Sequence, residues 1–253
     1  MGIMEKMRLD GKRSFVTGGA RGIGKAIATA LAEAGSDVAL LDVDIATAQQ
    51  TAAEIAQATG RVIRAYEVDV TQEAQVDAVV QQLIEDLGGL DCAFCNAGIC
   101  LNVPAAEMTL AQWRKVIDIN LTGVFLTARA AGRYMIGQGK GSIVNTASMS
   151  AHIVNVPQPQ CSYNASKAHA FSGGSINWKI ASYKDENDIF VLPFRWSFRG
   201  KRPTVYTAGR HQSRGNVFSI PHGHSMKSPY PAADTGFIVS VACVPCCFQS
   251  PVR

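Results

Sequence analysis

No apolar run in these 253 residues approaches the ~20 that a membrane-spanning helix needs. The start, Met1-Gly-Ile-Met-Glu-Lys-Met-Arg8, has no apolar signal core. Lys6 also stands where a myristoylation signal on Gly2 would want Ser or Thr. The expectation is a cytoplasmic protein without a membrane partner. Cysteines number seven, an odd count that forms no disulfide framework. Cys92 and Cys95 have C-x-x-C spacing, but on an expected buried strand, where core packing is the simpler reading. Cys243, Cys246 and Cys247 with His222 and His224 match no closed zinc ligand set, so no metal is expected.

Charge is short on one side in each part of the chain. Through residue 170 there are 14 Lys/Arg against 16 Asp/Glu, and beyond it 10 against 4. Seven of the ten prolines fall in that basic tail, whereas 29 of the 34 alanines precede it. The tail's cations are scattered, with neither a helical face nor interleaved aromatics, so nucleic acid is not an expected partner. The division gives two segments: an ordered core over 1–170, and an aberrant, disorder-prone stretch over 171–253.

The first segment alternates short apolar runs with helical periodicity. Arg13-Ser-Phe-Val-Thr17, Asp37-Val-Ala-Leu-Leu-Asp42, Val62 to Val68, Leu90 to Cys95 and Ser142-Ile-Val-Asn-Thr-Ala147 read as five strands. Lys25 to Ala34, Ile45 to Thr59, Gln72 to Leu87 and Leu110 to Ile136 read as helices. Strands separated by helices imply βαβ units, hence an α/β fold of the Rossmann-like type with a doubly wound parallel sheet. Ligands of such sheets sit at the carboxyl ends of the strands. Each polar motif falls at such an end: the glycine turn, Asp42, Asp69, Asn96 and Ser148.

The glycine turn has the spacing T-G-x-x-x-G-x-G, with Gly18, Arg21, Gly22, Ile23 and Gly24 beside a dinucleotide pyrophosphate. Asp42 lies 18 residues past Gly24, where an acid accepts from ribose hydroxyls and repels a 2′-phosphate. NAD is therefore expected over NADP, with Arg21 as the counter-argument. Further along, Tyr163 and Lys167 have i,i+4 spacing, so a helix puts both on one face. A phenol has an ordinary pKa of about 10, and an adjacent ammonium pulls it toward the working range. With a serine hydroxyl nearby, such a pair suits alcohol/carbonyl chemistry.

Taken together, Thr17-Gly18, Gly22-Ile-Gly24, Asp69-Val70, Asn96-Ala97-Gly98, Asn120, Ser148 and Tyr163-x-x-x-Lys167 resemble the short-chain dehydrogenases/reductases over residues 8–170. The resemblance implies a catalytic tetrad of Asn120, Ser148, Tyr163 and Lys167. It implies cofactor contacts from the glycine turn, Asp42, Asp69, Val70, Asn96, Ala97, Gly98, Tyr163 and Lys167. The loop from Ser148 to Gln160 looks most like the branch acting on galactitol, arabinitol, sorbitol and mannitol. Ser148, Ser150, Asn155 and Tyr163 would then meet a polyol or ketose. Ser150 rivals Ser148 for the catalytic place, and Asn155 and Gln158 have the alternative of closing turns around Pro157 and Pro159. His152 reads as an exposed loop residue. A homotetramer or homodimer is implied by the family.

The pattern stops soon after Lys167. Phe171-Ser-Gly-Gly-Ser-Ile-Asn puts adjacent glycines where the helix should continue, at about 1 kcal/mol each. The family's Arg-Val-Asn…Pro-Gly strand is not visible, and the rest shows neither period. A family-like length with a foreign composition points to a frame change in the coding DNA near 169–172, or to a replaced segment. Another frame should then encode an Arg-Val-Asn…Pro-Gly stretch; finding none sinks the idea. Loss of strands 6 and 7 would leave strand 5 as an apolar edge. The alternative function is accordingly a catalytically impaired dinucleotide-binding protein.

Overall fold

The computed structural model describes residues 2, 5, 7–153, 156–172 and 240–244. Six strands form one parallel sheet in the order β3-β2-β1-β4-β5-β6. They are β1 (Arg13–Thr17), β2 (Asp37–Asp42), β3 (Ile63–Glu67), β4 (Cys92–Cys95), β5 (Ser142–Ser148) and β6 (Ser240–Val244). The helices are α1 (Gly22–Glu33), α2 (Ile45–Thr59), α3 (Glu73–Leu87), α4 (Leu110–Ile117), α5 (Gly123–Gln138) and α6 (Cys161–Ser172). The order reverses between β1 and β4, and that switch point opens a crevice at the carboxyl ends.

Strand alternation divides the core into two layers. Phe15 and Leu41 point to one face, where they join Val76, Val80 and Leu83 of α3 and Ala128, Ala131 and Met135 of α5. Val16 and Leu40 point to the other, against Ala28 and Leu31 of α1 and Ala52 and Ile55 of α2. Burial on both faces explains why the strands read as apolar runs rather than as alternations. Local signals set the helix starts: the Asp44 side chain accepts from Thr47 N at 3.1 Å, and Thr109 with Gln112 forms a capping box before α4.

Two features differ from the sequence reading. The edge expected at strand 5 is occupied, because β6 pairs with β5 in parallel register from Val144↔Ser240 to Ser148↔Val244. Ser240-Val-Ala-Cys-Val244 is short and β-branched at two of five positions, enough to use an open row of backbone groups. Also, the helix expected over Leu110 to Ile136 is interrupted by a π turn at Asp118–Thr122. Such turns insert one residue into a helix and re-aim its side chains. Asn120 sits inside it, fully buried.

Cys95 lies buried on β4, and burial pushes its thiol up to about 12, a packing cysteine rather than a reactive one. Among the described residues, no cluster of three His, Cys, Asp or Glu is placed to hold a metal ion. Cys246, Cys247, His222 and His224 lie outside the described residues, as does Asn155. No described helix is long and apolar enough to cross a membrane.

Candidate active site

A cleft of about 1220 Å³ runs over the carboxyl ends of the strands. Ordinary small-ligand pockets hold about 300–1,000 Å³, so this one suits a long ligand. Gly18, Arg21, Ile23, Gly24 and Asp42 line one part of it. Asp69, Val70, Asn96, Ala97 and Gly98 follow, and Tyr163 and Lys167 close the other part. Gly22, Asn120, Ser148 and Ser150 do not line it.

The glycine turn is compact because backbone passes over backbone. Gly18 has φ +65°, and a Cβ on Gly24 would lie 1.9 Å from Gly18 O. Helix α1 starts directly after it, with no acid in its first turn and no side-chain cap from Arg21. Its N–H groups and positive dipole end therefore fit a pyrophosphate. Asp42 faces this turn: Oδ2 accepts from Ala20 N at 3.0 Å and Oδ1 from Asp44 N at 3.1 Å. The Asp44 carboxyl is held below its usual range, first by the Thr47 hydroxyl and backbone and to a lesser degree by Arg21. Arg21 thus has an acid of the adjoining loop beside it.

Asn96 and Asp69 serve the frame as well as the cleft. Asn96 Nδ2 donates to Thr17 O at 3.1 Å, and its Oδ1 accepts from Thr146 Oγ1 at 3.2 Å, joining β1, β4 and β5. Asp69 Oδ1 accepts from Thr71 N at 2.9 Å at the entry to α3. Thr17 enters the sequence reading only as the first letter of the glycine-turn motif, with no role of its own, yet its buried hydroxyl accepts from Asn96 N at 2.9 Å and Ala97 N at 3.0 Å. Thr17→Val keeps the shape and strands both amides. It is expected to cost about 2–4 kcal/mol, read by urea denaturation.

The chemistry-bearing group lies where α6 packs on β5. Lys167 is buried, and its Nζ donates to Thr146 O at 2.7 Å. The same ammonium lies 5.7 Å from the centre of the half-buried Tyr163 ring, as i,i+4 spacing requires. Asn120 pairs with Ile99 as a strand would: Ile99 N donates to Oδ1 and Nδ2 donates to Ile99 O, both at 2.8 Å. Nδ2 also donates to Ser166 Oγ at 3.1 Å, tying the π turn to α6. Gly98 lets these groups converge, since a Cβ there would lie 3.3 Å from Asn120 Oδ1 and 3.5 Å from Lys167 Nζ. Ser148 is fully buried at the end of β5, and its Oγ accepts from Ser150 N at 3.2 Å.

Ser150 sits in the short 3-10 turn Met149–Ala151, buried, with its Oγ accepting from Gln160 Nε2 at 3.2 Å. His152 is exposed. Gln160 and Cys100, which line the cleft, escaped the sequence reading; the place of Gln160 just before a helix was the available signal.

A doubly wound sheet with a glycine turn over its switch point and a Tyr–Lys pair beyond it defines a Rossmann-type protein with a candidate ligand cleft. Residues 12–172 match the short chain dehydrogenase family, and the chain belongs to that family. It is 43% identical over 174 residues to a galactitol 2-dehydrogenase of Rhizobium johnstonii, covering 66% of this chain and 65% of that one. An NADP-dependent mannitol dehydrogenase of Alternaria alternata is 40% identical over 163 residues, 63% of this chain and 61% of that one. In structure, a short-chain type dehydrogenase/reductase from Mycobacterium marinum superposes with a TM-score of 0.67 at 43% identity, covering 69% of this chain and 70% of that one. The chain thus spans about two thirds of the length of these relatives.

Proposed function

We infer that this chain is an NAD-dependent oxidoreductase that interconverts a secondary alcohol of a sugar alcohol and the matching ketose. The observation that carries the reading is the placement of Tyr163 and Lys167 at one end of a cleft whose other end is the glycine turn, with the buried Asn120 tied to the same helix through Ser166. A nicotinamide dinucleotide bound there supplies a hydride acceptor and donor. The glycine turn and the start of α1 hold its pyrophosphate, Asp42 its adenosine ribose, and Lys167 its second ribose. Tyr163 removes the hydroxyl proton from the substrate in oxidation and returns it in reduction. Lys167 favours negative charge on the phenol oxygen, and Ser148 holds the substrate oxygen. Asn120 ties the π turn to α6 through Ser166 and supports a water relay to the site.

The choice of NAD rests on Asp42, whose carboxylate faces the glycine turn and would repel a 2′-phosphate. Two charges of the same sign a few ångströms apart near a surface interact by several kcal/mol, so Asp42→Asn is expected to shift the NAD/NADP preference toward NADP at least ~10-fold. The test is turnover of galactitol, sorbitol and mannitol with each dinucleotide, followed by absorbance of the reduced form. Turnover of a polyol with NAD supports the reading. Dinucleotide binding without turnover selects the impaired binding protein instead, and no binding of either dinucleotide overturns both.

A further inference from the structure

We propose that the substrate end of the cleft also takes uncharged secondary alcohols and ketones with an alkyl chain, which lies along Met149, Ile153 and Val156. The proposal rests on the Tyr163 chemistry above and goes beyond its polyols. Among the described residues, ten large hydrophobic side chains are exposed, and three of them fall between 149 and 156. Met149 is 40% exposed, Ile153 47% and Val156 85%, and all three line the cleft. Single exposed apolar side chains are ordinary, whereas a group of them inside a cleft marks a place for an apolar ligand. Backbone bonds hold both ends of this apolar rim. Ile153 N donates to Met149 O at 3.2 Å, and Val103 N donates to Pro159 O at 2.8 Å.

Charge points the same way. Arg21, Asp42 and Asp69 line the cleft on the side of the glycine turn, β2 and β3, and Lys167 lines it beside Tyr163. Among the described residues, no carboxylate or guanidinium lines the substrate end. A phosphate or carboxylate on the substrate would therefore find no charged partner there beyond Lys167. A hydroxyl laid on the rim gives up water for no new hydrogen bond, whereas a methylene gains by leaving water. In oxidation the carbinol carbon passes its hydride to NAD, the hydroxyl proton goes to the Tyr163 phenolate, and a ketone forms. The alkyl chain takes no part in the bonds that change, so it adds binding alone.

The experiment follows NAD-linked oxidation of 2-butanol, 2-hexanol and 2-octanol, with galactitol alongside, in wild type and the double variant I153S/V156S. In wild type kcat/KM should rise about threefold per added methylene, because each one leaves water on the rim. The double variant should cut the ratio of 2-octanol to 2-butanol kcat/KM about tenfold. Both positions are exposed, so the substitutions leave the fold intact, and NAD titration of the same preparation checks it. A flat series in wild type, or an unchanged ratio in the variant, overturns the proposal. The polyol reading fails separately, when 2-octanol is oxidised and galactitol is not. If wild type oxidises no alcohol, the dehydrogenase reading itself fails, and ligand binding decides the rim. Saturation-transfer NMR should then show 2-octanone bound about tenfold more tightly than 2-butanone, with that preference lost in I153S/V156S. Equal affinities in wild type overturn the proposal.

Discussion

Tyr163→Phe is expected to lower kcat about a thousandfold while leaving NAD affinity within twofold. General acid–base catalysis contributes about 10²–10⁴-fold, and the proposed function gives the exchange of the substrate proton to the Tyr163 hydroxyl. Phe keeps the ring, so the half-buried packing of α6 and the Lys167 contact at 5.7 Å survive. Lys167 Nζ keeps its bond to Thr146 O, so the ammonium is not left stranded in the interior. Cofactor titration and steady-state kinetics on the same preparation separate the two quantities. An equal activity in wild type and variant would remove Tyr163 from the mechanism. A wild type that binds NAD and turns nothing over would leave the variant with nothing to lose.

Gly24→Ala should damage the other end of the cleft as severely. The new methyl would stand 1.9 Å from Gly18 O, 2.7 Å from Gly18 C and 2.9 Å from Asn96 Nδ2. Two of these are backbone atoms of a turn already bound to Leu41 O through Gly18 N at 2.7 Å, so neither can rotate aside. Opening the turn pulls on β2 and on the Asn96 bonds that join three strands. The expected cost is about 3 kcal/mol or more in stability. Displaced amides at the start of α1 should weaken dinucleotide binding about a hundredfold. Gly22→Ala is the control: its Cβ meets nothing within 4 Å, and only its φ of +55° argues against it, at about 1–2 kcal/mol. Comparable damage from both substitutions would refute the steric argument.

Side-chain pattern carries most of this fold and part of its site. β1, β2 and α2 have the bounds that their apolar runs and caps indicate, because burial on a parallel sheet leaves a continuous signature in sequence. The glycine turn and the Tyr163–Lys167 spacing are local geometry, and local geometry survives in a string of letters. The partner of Lys167 is a carbonyl of β5, and every residue has a carbonyl, so no letter announces it. Gln160 is bonded to Cys100 and Ser150 across 60 and 10 residues, a meeting that only the packed chain creates. β6 pairs with a strand almost a hundred residues earlier, and its five residues are too few to show a period.

The π turn makes α4 and α5 a single rod with a change of phase in the middle. One residue of an α-helix occupies about 100° of the circumference. Ahead of the turn the rod buries Val116; behind it, Ala128, Ala131 and Met135 face the sheet. Without the extra residue those stripes would lie on different meridians, and burying one would rotate the other toward water. Deleting Ile119 would therefore misdirect two successive turns of α5 and swing Asn120 away from Ile99 at once. One surplus amino acid keeps the long helix in step with both the core beneath it and the chemistry beside it.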